Sequence, residues 1–161
     1  MLWERIGVKL PENTVWDCFP RCYRNRTEMG WVAHNYVGEN EYQPVYWDDQ
    51  AHIRSFFGVS DEVTGGLQNE IEVHLIVFAD LSKIFPGNTG RADENLRDLF
   101  IKNLNDGMFG FEFRSIETGL QNVLREYPGT LRDDRMKYVD MHPVHCFRLN
   151  MNLYYENGTN C

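Results

Sequence analysis

Cys146 directly follows His145, and a thiol beside an imidazole is the pairing from which nucleophilic catalysis can start. On a strand, however, adjacent residues point to opposite faces, so these two side chains would not share a hydrogen bond. Ser55, Ser60, Ser82 and Ser115 lie in no nucleophile setting, and Gly-x-Ser-x-Gly does not occur. Cys18 and Cys22 form one close pair, with His142 and His145 as distant completers, where a zinc site wants two close pairs. None of His34, His52, His74, His142 and His145 has a second imidazole at helical i, i+4 spacing. Asp48-Asp49, Asp61-Glu62 and Asp133-Asp134 are acidic doublets in turn-rich stretches, whereas metal-assisted hydrolysis needs carboxylates converging from separate elements. Gly87-Asn88-Thr89-Gly90 and Gly107-Met108-Phe109-Gly110 lack the Lys-Ser/Thr ending of a phosphate loop and the third glycine of a dinucleotide fingerprint. These residue types predict no catalytic site, no metal and no cofactor. A metal-dependent hydrolase built on the acidic doublets is the enzymatic alternative.

The elements that would position any site are clearer. Glu70–Asp80 and His145–Glu156 alternate with a period of two, which sorts each strand into two faces. Ile71, Val73, Leu75, Val77 and Ala79 form one dry row, and Phe147, Leu149, Met151, Leu153 and Tyr155 another. The opposite faces carry Glu72 and His74, then Arg148, Asn150 and Asn152, and are expected to stay wet and available for contacts. From Asp93, the spacing of Leu96, Leu99, Phe100 and Leu104 predicts a helix ending near Gly107, with Asp93 and Glu94 suited to its first turn. Phe109, Phe111 and Phe113 alternate as a short strand. Ile116, Gly119, Leu120, Val123 and Leu124 then repeat at helical spacing, and Pro128-Gly129 stops them.

The first half is less regular. Residues 1–20 read as irregular, interrupted by Pro11 and Pro20. Residues 21–26 suit a strand with Arg24 and Arg26 on one face. Residues 31–50 look like a loop or short hairpin with an aromatic surface. Ile53–Phe57 reads as a strand ended by Gly58, followed by a turn-rich stretch over 58–69 with Gly65-Gly66 as its flexible point. Residues 129–142 form a charged loop, and 157–161 a frayed tail. The expected fold is one α+β domain over 1–161. Two amphipathic helices pack on one face of an antiparallel twisted sheet.

With 24 acidic against 16 basic residues the net charge is −8, which gives no general nucleic-acid footprint, although Arg21, Arg24 and Arg26 form a local basic patch. No apolar run approaches a membrane span, and the N-terminal residues lack the layout of a signal peptide, so the chain is expected to be made in a reducing cytosol with free thiols. The aromatic share of 14% is high and concentrated early, as in contact surfaces.

Several phrases have a family likeness. Residues 22–26, 35–42 and 55–58, then Val73–Pro86 and Phe147–Tyr155, resemble the small neck proteins of crAss-like bacteriophages. The likeness covers about residues 20–156. It implies a tail-terminator-like fold, no cofactor, and a virion structural role: a homo-oligomeric ring in the neck or head–tail connector. Such a ring joins portal to tail, contacts other neck, portal or tail proteins, and lines the path of genomic DNA without binding it specifically. No membrane is involved. A ring subunit needs two different patches, one on each flank. Trp31, Tyr36, Tyr42, Tyr46 and Trp47 of the aromatic segment, with Arg132, Arg135 and Lys137 of the charged loop, are the expected interface residues. The alternative is a small binding module that holds a host or phage protein through its aromatic loop.

Overall fold

The computed structural model describes residues 10, 12–63, 68–87, 92–107 and 110–156. In chain order the elements are β1 (Trp16–Phe19), β2 (Cys22–Thr27), β3 (Gly30–Gly38), β4 (Glu41–Pro44), β5 (Ile53–Val63) and β6 (Gln68–Asp80). There follow α1 (Leu81–Ile84), α2 (Ala92–Gly107), β7 (Phe111–Thr118), α3 (Leu120–Val123) and β8 (Val144–Glu156). Short 3-10 turns at Thr130–Arg132 and Asp134–Met136 lead into β8.

The two long alternating segments do share a sheet. β6 and β8 pair antiparallel from Gln68 opposite Glu156 to Asp80 opposite Val144. They sit at the centre of a five-stranded sheet of order β1-β5-β6-β8-β7, and a separate three-stranded sheet has the order β2-β3-β4. The fold is therefore mixed α+β. The large sheet is not wholly antiparallel, because β1 runs parallel to β5. That strand also corrects the expectation that residues 1–20 are irregular.

One face of the large sheet is dry. Val73, Leu75 and Val77 of β6 and Phe147, Leu149 and Met151 of β8 pack against Ala92, Leu96 and Phe100 of α2 and against Leu81 and Ile84 of α1. Leu96 and Phe100 are fully buried, and each such side chain contributes about 1.5–3 kcal/mol over an exposed one. Asp93 and Glu94 lie in the first turn of α2, and Arg97 pairs with Asp93 one turn away.

The other face differs from expectation. Glu72 is exposed and Asn152 half-buried, as a wet face would have them, but His74 and Arg148 are fully buried and Asn150 nearly so. A second core covers it, made of Phe56, Ile76, Phe78 and Cys146 from the sheet, Val32, Ala33 and Val45 from the small sheet, and Val123, Leu124, Tyr127, Met136 and Val139. The second amphipathic helix is absent from the dry face. Of its residues only Ile116 falls in β7; Leu120–Val123 form α3, a single helical turn whose Val123, with Leu124 after it, joins the second core. Helical spacing and strand alternation overlap at Ile116, and pairing with β8 decides for the strand up to Thr118. The chain thus sandwiches its large sheet between a helical layer and a small β-layer.

One further difference is local. Gly58 does not end its strand; β5 continues to Val63. A Cβ at Gly58 would overlap the His74 ring and the Tyr127 hydroxyl, so this glycine lets the two side chains lie against the strand. Residues 31–44 form a true hairpin, with Glu39 and Asn40 at positive φ in its turn. Gly65-Gly66, Asn88–Gly90, Phe109 and the 157–161 tail lie outside the described residues.

Candidate functional site

Cross-strand register builds a polar track through the covered face. Gly58, His74, Asn150 and Ser115 lie opposite one another across β5, β6, β8 and β7, and Ile76, Arg148 and Glu117 form the adjacent row. The register shifts between Val59 and Asp61 and between Phe113 and Ser115, at the two ends of this track. Such bulges re-aim side chains. At the first of them, Ser60 turns its hydroxyl to His74, with Oγ 2.6 Å from Nδ1. His74 Nε2 is 2.9 Å from the Tyr127 hydroxyl.

Arg148 is the hub. Its guanidinium binds both oxygens of Glu126, with Nη2 to Oε1 at 2.8 Å, and donates from Nε to Asn150 Oδ1 at 2.6 Å and from Nη2 to Ser60 Oγ at 3.1 Å. Asn150 in turn donates to Ser115 Oγ and Glu117 Oε2. Arg125 pairs with Glu117. A buried guanidinium is tolerable only when its donors are satisfied and its charge is matched, and here both conditions hold. Burial raises the Glu126 carboxyl, but hydrogen bonding from Arg148 and the neighbouring positive charges outweigh it, so its pKa stays below the ordinary value. Hydrogen bonding from Arg125 holds Glu117 low as well.

Ser60 and His74 have the contact of a nucleophile and its base, but not the electrostatics. Burial, and then the Arg148 charge, push the His74 pKa down to about 3. The far ring nitrogen meets a phenol that burial keeps protonated, where a carboxylate would be needed to stabilise an imidazolium. At neutral pH His74 is therefore a neutral link in a hydrogen-bond chain. Cys146 and His145 lie on opposite faces as expected: Cys146 is in the second core, and His145 stacks on Phe147. Burial raises the Cys146 thiol well above its ordinary pKa and Cys22 to about 12.

The acidic doublets have structural partners. Asp48 pairs with Arg54, Asp49 accepts from the Trp47 indole, and Asp133 caps the turn at Asp134–Met136 while binding Arg135 through both oxygens. The side chains of Asp61 and Glu62 lie outside the described residues. Among the described residues, no three His, Cys, Asp or Glu side chains converge as metal ligands would.

The expected interface set divides. Trp31, Tyr36 and Tyr42 are exposed. Tyr36, Tyr42 and the unforeseen Tyr23 share one face of the small sheet, with ring centroids 5.2 Å apart for Tyr36–Tyr42 and 5.8 Å for Tyr23–Tyr42. On its opposite face the Arg24 guanidinium lies 4.7 Å from the centre of the Trp31 ring. Tyr46 and Trp47 are buried in the second core and are corrected to core residues. Arg132, Arg135 and Lys137 are all exposed, and Arg135 also lies 3.9 Å over Tyr46 and is bound to Asp133. The aromatic and charged segments do not occupy opposite flanks. They pack together, with the Gly129 amide donating to the Trp31 carbonyl and the Trp47 amide meeting Met136 sulfur.

These features define a mixed α+β domain with a buried polar track and an exposed aromatic–arginine sheet. No family model, curated protein or solved structure matches the chain. Among the described residues no helix is long and apolar enough to cross a membrane.

Proposed function

We propose that the protein is a non-enzymatic assembly subunit that works through the exposed small sheet. One observation carries the reading: Tyr23, Trp31, Tyr36 and Tyr42 are each more than a third exposed, beside Arg21 and Arg24, on a layer rigidly backed by a core. Tyr, Trp and Arg are the side chains that dominate binding energy at protein interfaces. The likeness to crAss-like phage neck proteins gives the assembly its form: a tail-terminator-like ring in the neck of a virion. There the subunit would contact copies of itself and the portal or tail rings, with the genome passing through. Multi-angle light scattering and negative-stain microscopy of the purified protein, alone and with portal or tail proteins, test this. Closed rings or stoichiometric capture on a partner ring are expected. A monomer indifferent to those proteins overturns it.

The second reading, a small module that grips one host or phage protein, has its own support. The aromatic and charged segments pack on one side, as a one-sided binder would have them. A stable one-to-one complex of a monomeric chain, with no higher assembly, selects it.

A further inference from the structure

A small cavity opens where β2 meets the bulged part of β5. It measures about 240 Å³ and is lined by Arg21, Tyr23, Arg24, Ser60, Glu126 and Tyr127 among others. Its charge is unusual for a chain of net −8. Glu126, the one carboxylate in its wall, is already matched by Arg148 and flanked by Arg125 at 3.8 Å. Among the described residues, no carboxylate pairs with Arg21 or Arg24; each guanidinium instead rests against an aromatic ring, of Tyr23 and Trp31 respectively. Two cations are thus in surplus at the mouth. Behind them Ser60 is held by the fully buried Arg148, whose Nη2 is 3.1 Å from the serine oxygen. The serine hydroxyl is thus engaged by His74 and Arg148, and the positive charge the cavity offers a ligand is that of Arg21 and Arg24.

We propose that this cavity receives the carboxylate of an acidic side chain from a second copy of the chain. The inference rests on the self-assembly reading above and deepens it by assigning a contact. Guanidinium forks match a planar carboxylate. A second copy offers surplus carboxylates, since the chain has 24 acidic against 16 basic residues. Exposed Tyr23, in the cavity lining, supplies the apolar contact that an isolated ion pair lacks.

The test is sedimentation of wild type, Arg21→Ala/Arg24→Ala and Arg21→Glu/Arg24→Glu over a concentration series at low and high salt. Thermal melts run alongside to show that each variant is folded. Wild-type self-association should weaken with salt, fall about tenfold or more in the alanine variant, and vanish in the glutamate variant. Melting should be nearly unchanged, because both side chains lie outside the core. Wild-type assembly that persists undiminished in both variants overturns the contact and leaves self-assembly standing. A wild type that is monomeric throughout overturns both. A fluorescent single-stranded oligonucleotide provides the last arm. If the arginines bind it tightly while self-association ignores their loss, the occupant is a nucleic-acid phosphate and the proposal fails.

Discussion

The large sheet is covered twice, by opposite kinds of chemistry. Toward α2, Leu75, Val77, Phe147 and Leu149 meet Leu96 and Phe100, and the buried Ser55 on this face accepts from the Trp16 indole. Toward the small sheet, the same strands present His74, Arg148 and Asn150, and the cover brings Glu126 and Tyr127 to meet them. Apart from the Trp16–Ser55 bond, the dry face asks for volume and is tolerant of which apolar residue fills it. The polar face requires each donor to find one particular acceptor. Arg148 therefore fixes the position of the segment carrying Glu126, and with it the layer that displays the aromatic surface. Packing supplies cohesion on one side, and hydrogen bonding sets register on the other.

Breaking each face separately tests this contrast. Phe100→Ala removes a fully buried ring against Trp16 and Phe147, and should cost about 3–5 kcal/mol by chemical denaturation. Glu126→Ala should cost about 3 kcal/mol, the low end for uncovering a buried charge, because Glu117 remains 3.6 Å from Arg148. The double change Glu126→Met/Arg148→Met sharpens the comparison. It removes both charges and should recover most of that loss, while loosening the small layer, as hydrogen exchange of β2 and β3 amides would report. If the double variant is as unstable as Glu126→Ala, the track is not what costs stability when broken.

Much of this was legible in the chain. Alternation in β6 and β8 predicts both strands and their shared dry row, and the Leu96–Phe100 spacing predicts α2. The polar face was misread for a physical reason. Polar residues at every second position mean solvent unless a partner covers them, and the partners come from Ser60, Glu126 and Tyr127, which local pattern does not connect to β6 or β8. An arginine in the middle of a long, otherwise well-formed strand was the available signal. Likewise Tyr46 and Trp47 belong to the same aromatic run as Tyr42, and only the fold of residues 129–139 over them separates core from surface. The aromatic hairpin and its exposure were readable; which of its rings face water was not.

Acid should separate the two faces next. His74 is held neutral with a pKa of about 3, against about 6.5 in an unfolded chain. Between those values the unfolded chain binds a proton that the folded chain does not. Stability therefore falls as the pH drops through this window, by up to about 1.4 kcal/mol per unit and about 2 kcal/mol by pH 5. His145, also lowered by burial, adds a loss of the same sign. Glu117 and Glu126, whose values are depressed, lose their contribution only further down, as pH falls below the ordinary carboxylate range. Denaturation curves of wild type and His74→Gln between pH 7 and 5 isolate the imidazole: the variant should show a clearly flatter decline. Parallel declines would mean that His74 can be protonated inside the fold.

The smallest effect belongs to the surface and links stability to function. Tyr36 is 46% exposed and touches Tyr42, whereas Tyr46, ten residues on, is 4% exposed beneath Arg135. Tyr36→Ser should shift stability by no more than about 0.5 kcal/mol, as expected for an exposed side chain away from caps and core. Tyr46→Ser should cost several times as much, because it opens a cavity in the second core and removes the ring under Arg135. Self-association should rank them the other way. A Tyr36 variant that melts normally yet assembles poorly assigns that ring to a contact, because a side chain that only filled local space would alter neither property or both together. Equal assembly by wild type and the Tyr36 variant would remove this face of the small sheet from the interface and leave the Arg24–Trp31 side as the surface that can serve.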